Sequence, residues 1–414
     1  MRRQFLKAVV LGANGAMGAG SGELFAAAGI ETVFLARSRD KAAAGRARAE
    51  KLAKSEAVRR FISVGSYDED LARVVPEADL IFEAVSEDLA VKRPWLEKVA
   101  LLRRSDAVVA TVSSGLSIAQ MAATGDDSFA RHFLGIHFFN PPNVIVGCEL
   151  IPHAGTADSV VADVSELLRG RLGRELVRTS DTPAFLGNRV GFKVLNECAQ
   201  LAGSHGAGYI DALLGPHTGR AMAPLATIDF VGWDVHRAIV DNVFAHTRDE
   251  AHAAFALPPY MAQQIARGVL GDKTPEAGGF FKKGMKNAVE PPDIAGKMKA
   301  LHHVGRYREA FDLFAEAGGP DAELMRRVIL GYVSYGLGRV GEVVERVADV
   351  DRIMGFGFNW APPGALVDLI GARRTVRLCE AAGLLVPRPL IDAAERNQRL
   401  FDATYVDVGR FFHG

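Results

Sequence analysis

Along residues 7 to about 180, short apolar runs alternate with longer stretches whose apolar positions recur at helical spacing. The runs at 8–12, 32–36, 79–85, 107–112, 134–139, 149–152 and 175–178 predict strands. They are rich in Val, Ile and Leu, the composition of strands buried on both faces of a mostly parallel sheet covered by helices. A doubly wound α/β domain follows, with its ligand site at the carboxyl ends of the strands. Beyond Asp181-Thr182-Pro183 the strand-like runs thin out, and amphipathic segments such as 185–201 and 235–244 take over. Pro183 suits a helix start. The rest of the chain reads as all-α.

A repeat divides that helical part. Pro224, Asp229 and Gly232 recur 139 residues later as Pro363, Asp368 and Gly371, with apolar positions in step between them. An interval of that length marks a duplicated domain rather than a solenoid. A Gly-, Pro- and Lys-rich connection at 278–292 lies between the copies. The expected organisation is an α/β domain over 1–181, a helical domain over 182–290 and a second helical copy over 291–414.

Composition narrows the function. A chain of 414 residues exceeds one ordinary core. Lys+Arg and Asp+Glu both number 49, so bulk attraction to nucleic acid or an anionic membrane is not expected. Apolar runs stay well short of the roughly 18 residues that membrane insertion needs. Cys148, Cys198 and Cys379 show neither CxxC nor His/Cys ligand spacing, which predicts buried thiols, no metal site and a reducing compartment. Arg2-Arg3 followed by Phe5-Leu6 imitates a twin-arginine export signal, but the apolar run after Lys7 ends at Leu11. The expected localisation is cytoplasmic.

Two constellations could carry chemistry. The first strand runs into Gly12-Ala13-Asn14-Gly15-Ala16-Met17-Gly18 and then a helix. In this strand–loop–helix setting Gly12 permits the turn, Gly15 lets backbone approach a pyrophosphate, and Gly18 allows close helix–strand packing. The pattern is that of a Rossmann dinucleotide site. The second strand ends at Arg37, where an acidic residue usually accepts hydrogen bonds from the ribose hydroxyls of NAD. A guanidinium there leaves NADP open, because it can pair with a 2′-phosphate. The other constellation is His137-Phe138-Phe139-Asn140-Pro141 with Glu149. Pro141-Pro142 must end the strand, and a returning strand would bring Glu149 beside the imidazole. That carboxylate would fix the tautomer and leave the second ring nitrogen as a base.

The run Gly135-Ile136-His137-Phe138-Phe139-Asn140-Pro141, with Glu149, resembles the signature of the L-3-hydroxyacyl-CoA dehydrogenase family. Glu83-Ala84-Val85 with Lys92, Ser113-Ser114, the junction from Asp181 to Arg189, and Leu270-Gly271-Asp272-Lys273-Thr274 before Gly278-Gly279-Phe280-Phe281 agree with it, in order. The resemblance implies reversible oxidation of (S)-3-hydroxyacyl-CoA to 3-oxoacyl-CoA with a nicotinamide cofactor, as in fatty-acid β-oxidation. It implies His137 as general base, Glu149 as its orienting carboxylate, Ser114 and Asn188 as ligands of the substrate oxygen, and Asn140 beside the histidine. Met17 belongs to the cofactor loop, while Glu83 and Lys92 resemble parts of the cofactor's ribose and phosphate surroundings.

The chain departs from the family pattern at Arg37, at Gly115 after Ser114, and at Ala223-Pro224 in place of Gly-Pro. Arg326-Arg327 stand in the second copy where the first has Asn188-Arg189, so that copy is expected to be non-catalytic. The duplicated helical region is similar to the dehydrogenase portion of multifunctional fatty-acid oxidation enzymes, without a crotonase-like segment. Either a homodimer or a pseudo-dimeric monomer fits, with a hydratase or thiolase partner acting in trans. The alternatives are a dehydrogenase of a CoA-free hydroxy acid and a non-catalytic nucleotide-binding scaffold.

Overall fold

The computed structural model describes residues 3–284, 289–404 and 407–412. Arg2 and residues 285–288 of the expected inter-copy connection lie outside the described residues. The chain forms two units, Met1–Phe185 and Leu186–Gly414.

The first unit is built on strands β1 (Lys7–Leu11), β2 (Glu31–Ala36), β3 (Ile62–Ser66), β4 (Leu80–Glu83), β5 (Val108–Thr111), β6 (Phe133–Phe138), β7 (Gly147–Pro152) and β8 (Glu175–Arg178). They form one sheet in the order β3-β2-β1-β4-β5-β6-β7-β8. Every neighbouring pair is parallel except β6 with β7. The expected mostly parallel α/β sheet is present, with one strand more than the apolar runs indicated. β3 escaped because it is an edge strand whose second residue is exposed, so it lacks the apolar continuity of a central strand.

Alternation along the central strands feeds two cores, one on each face. Phe82, Val108 and Phe138 join Phe25 and Phe34 in one. Ile81, Val109 and Phe133 join Leu96 and Phe129 in the other. Full burial of each such side chain contributes about 1.5–3 kcal/mol. Helices α1 (Ala16–Ala27), α2 (Arg39–Ala53), α3 (Tyr67–Val74) and α4 (Leu89–Leu102) follow β1 to β4 in turn, and the short α5 (Ile118–Ala122) follows β5.

The second unit is helical. Its first helix begins at Gly187 rather than at Pro183, because Ala184 (φ 60) and Phe185 (φ 52) take the left-handed conformation and break the path into a helix. The 139-residue repeat has a structural counterpart. Helix Pro224–Val231 ends on Gly232 (φ 98) before Trp233–His246, as helix Pro363–Ile370 ends on Gly371 (φ 95) before Ala372–Ala381. Asp211 accepts hydrogen bonds from the N–H groups of Leu225 and Ala226, and Asp351 accepts one from Gly364. Asp229 holds the Phe280 and Phe281 amides as Asp368 holds those of Leu400 and Phe401. Arg326, at the position of Asn188, donates to the carbonyls of Phe314 and Ala317. Among the described residues no helix is long and apolar enough to cross a membrane.

Candidate active site

Antiparallel pairing of β6 and β7 sets His137 directly opposite Glu149. Residues paired across two strands share a face of the sheet, so the two side chains meet. His137 Nδ1 lies 2.6 Å from Glu149 Oε2, with the residues 4% and 0% exposed. Against a carboxylate, Nδ1 carries the proton and Nε2 keeps a lone pair. The imidazole also stands against the rings of Phe139 and Phe185, at centroid distances of 4.8 and 5.7 Å. The left-handed turn at Ala184-Phe185 is what delivers the second ring. Asn140 is exposed at the end of this strand segment. The Cys148 thiol is fully buried beside Glu149, and burial raises its pKa, so it stays protonated and inert.

The glycine loop lies between the carboxyl end of β1 and α1. A Cβ on Gly12 (φ 77) would stand 2.3 Å from the Ala84 carbonyl oxygen, and one on Gly18 would stand 2.3 Å from the Gly12 carbonyl oxygen. Backbone is therefore packed on backbone, and neither position accepts a side chain. Gly15 caps α1 with no side-chain hydrogen bond, and the first turn holds no acidic residue. By contrast, Ser38, Ser66 and Asp88 occupy the starts of α2, α3 and α4. The N-terminus of α1 thus fits an anion such as a pyrophosphate. Met17, half-buried in the same turn, packs on the core below. Arg37 is exposed at the end of β2 and makes no ion pair among the described residues, whereas Arg39 is held by Glu69 and Asp70.

Glu83 and Lys92 face each other, both fully buried, with Lys92 Nζ 2.9 Å from each Glu83 oxygen. Glu83 also accepts from Thr111 Oγ1 (2.6 Å) and from the Val85 amide (2.7 Å). This cluster ties the end of β4 to β5. Glu87 extends it: one oxygen lies 3.4 Å from Lys92 Nζ, and the other accepts from Ser113 Oγ (2.7 Å) and the Ser114 amide (2.6 Å). Ser114 is thereby held on a loop whose far end is fixed by Asp181, which accepts from the Ile118 and Ala119 amides at 2.9 and 2.8 Å. Sequence reasoning missed Glu87, because an acidic loop residue carries no signal until β4 and β5 are known to be neighbours. In the second unit Asn188 is 7% exposed, in the first turn of its helix.

A doubly wound sheet, a glycine loop that fits a pyrophosphate and a buried histidine–carboxylate pair are the parts found in dehydrogenases that use a nicotinamide dinucleotide. The family described as 3-hydroxyacyl-CoA dehydrogenase, NAD binding domain, matches residues 7–182, and its C-terminal domain matches residues 185–282. The chain belongs to the 3-hydroxyacyl-CoA dehydrogenase family. It is 31% identical to a probable 3-hydroxyacyl-CoA dehydrogenase of Deinococcus radiodurans, over 69% of this chain and 85% of that protein. A probable 3-hydroxyacyl-CoA dehydrogenase of Bacillus subtilis is 28% identical over 82% of this chain, which spans only 45% of that longer protein. The fold is shared with a 3-hydroxybutyryl-CoA dehydrogenase of Escherichia coli, at a TM-score of 0.74 and 21% identity, over 95% of this chain and 99% of that one.

Proposed function

We propose that the chain catalyses the reversible oxidation of (S)-3-hydroxyacyl-CoA to 3-oxoacyl-CoA, the dehydrogenation step of fatty-acid β-oxidation. The observation that carries this reading is the buried His137–Glu149 pair. Glu149 holds the imidazole by Nδ1, and Nε2 takes the 3-hydroxyl proton. The nicotinamide, when bound, supplies the acceptor for the hydride from C3. Ser114, on the loop fixed by Glu87 and Asp181, donates a hydrogen bond to the substrate oxygen. Asn188 is assigned the same task by its place in the family motif, and Asn140 borders the histidine by its position after β6. The loop of Gly12, Gly15, Met17 and Gly18 receives the cofactor's phosphates, with Gly15 as the point of backbone approach. Glu83 and Lys92 act on the cofactor through the loop they shape at the end of β4.

Arg37, exposed and without an ion pair among the described residues, supports pairing with a 2′-phosphate and hence use of NADP beside NAD. Three buried cysteines without disulfides support a cytoplasmic setting. The matching turns and caps of its two helical halves support a first helical domain over 182–290, a second over 291–414 and a pseudo-dimeric monomer. An absorbance assay with acetoacetyl-CoA, with longer 3-oxoacyl-CoA esters and with free acetoacetate, each with NADH and NADPH, tests the reading. Thioester-dependent loss of absorbance is expected; turnover of free acetoacetate alone would replace it with a CoA-free hydroxy-acid dehydrogenase.

A further inference from the structure

The second unit contains a cavity of about 920 Å³ whose walls include His217, Lys299, His302, His303, Tyr307 and Phe412. None of these residues belongs to the proposed catalytic set. His302 is 5% exposed, and among the described residues neither of its ring nitrogens has a hydrogen-bond partner. It is enclosed by aromatic rings, with Phe412 at 4.6 Å and Tyr307 at 5.6 Å between centroids. His217 is 2% exposed; its Nε2 donates to the Leu213 carbonyl at 2.9 Å, which leaves Nδ1 as an acceptor without a partner among the described residues. Buried polar atoms are nearly always paired, so three orphaned nitrogens on one cavity wall need an explanation. A cavity this large and polar has room for more than one water.

We propose that this cavity is a second small-molecule site, which takes an organic anion joined to a flat or apolar body with hydrogen-bonding groups. The body lies against Tyr307 and Phe412, and its polar edge pairs with His302 and with His217 Nδ1. Lys299 meets the anionic end: among the described residues it is exposed and makes no ion pair, and no Asp or Glu lines the cavity. Burial holds the His302 and His217 pKa values at about 4 and about 3. Both rings are therefore neutral near pH 7 and offer hydrogen bonds, which leaves charge recognition to the lysine. A phosphate monoester and a carboxylate share this chemistry.

AMP and 4-hydroxybenzoate, titrated separately into the full chain, distinguish the two sources. Calorimetry and histidine 1H–15N spectra are the readouts. One probe is expected to bind one-to-one, to shift the His217 and His302 signals, and to lose at least 10-fold in affinity in Lys299→Ala and in His302→Phe. Neither substitution should change 3-hydroxybutyryl-CoA oxidation. Lys299 is exposed, so its variant reports even if His302→Phe fails to fold. Failure of both probes to move either histidine at millimolar concentration would overturn the site, as would binding that Lys299→Ala leaves unchanged. A dehydrogenase assay that fails while a probe binds would instead count against the proposed reaction.

Discussion

His137 and Glu149 are adjacent because two strands pair in one register, and a slip of one residue would turn one of them to the other face. Glu83 and Lys92 form a second buried pair. Lys92→Met leaves the Glu83 carboxylate buried without its cation, which should cost about 3–5 kcal/mol of unfolding free energy in urea titration. Adding Glu83→Gln should restore much of that loss; no recovery would mean the lysine stabilises by packing alone. At Arg37 the prediction concerns selectivity. Arg37→Asp should move the NADP/NAD ratio of kcat/KM toward NAD, and an unchanged ratio would place the guanidinium outside cofactor recognition.

Among elements, the turn between β1 and α1 is the least tolerant. Gly12→Ala puts a methyl group into the Ala84 carbonyl at a φ of +77, so cofactor affinity should fall sharply in a fluorescence titration even where the chain still folds. Unchanged affinity would show that the turn can shift without harm. Elements also mark the limit of what the sequence displayed. Seven of the eight strands were legible because central parallel strands are continuously apolar, while β3 at the edge was not. The proposed catalytic pair was legible because its two residues flank a single proline-marked turn. The support of Ser114 by Glu87 was not, since it joins loops 26 to 27 residues apart that meet only because β4 lies beside β5. Pro183 misled for a different reason: the left-handed residues after it postpone the helix to Gly187.

At the scale of the whole molecule, the two parts of the helical unit carry matching carboxylates in unequal surroundings. Asp211 accepts two backbone hydrogen bonds, which partly offset burial, and its pKa is raised to about 6. Asp351 accepts one, and burial raises it further, to about 8. The folded state thus favours the protonated acid. The stability that Asp351 contributes is complete below about pH 4 and is lost as pH rises through about 8. Asp351→Asn should flatten the decline of unfolding free energy between those limits in urea titrations at several pH values. An identical slope in both proteins would mean that Asp351 does not titrate there. In the proposed reaction a single histidine takes the substrate proton. The most direct test is therefore the rate of 3-hydroxybutyryl-CoA oxidation by folded His137→Gln beside the parent chain. Loss of the positioned base predicts a kcat lower by about 10² to 10⁴ with the fold intact by circular dichroism; an unchanged kcat would contradict the account.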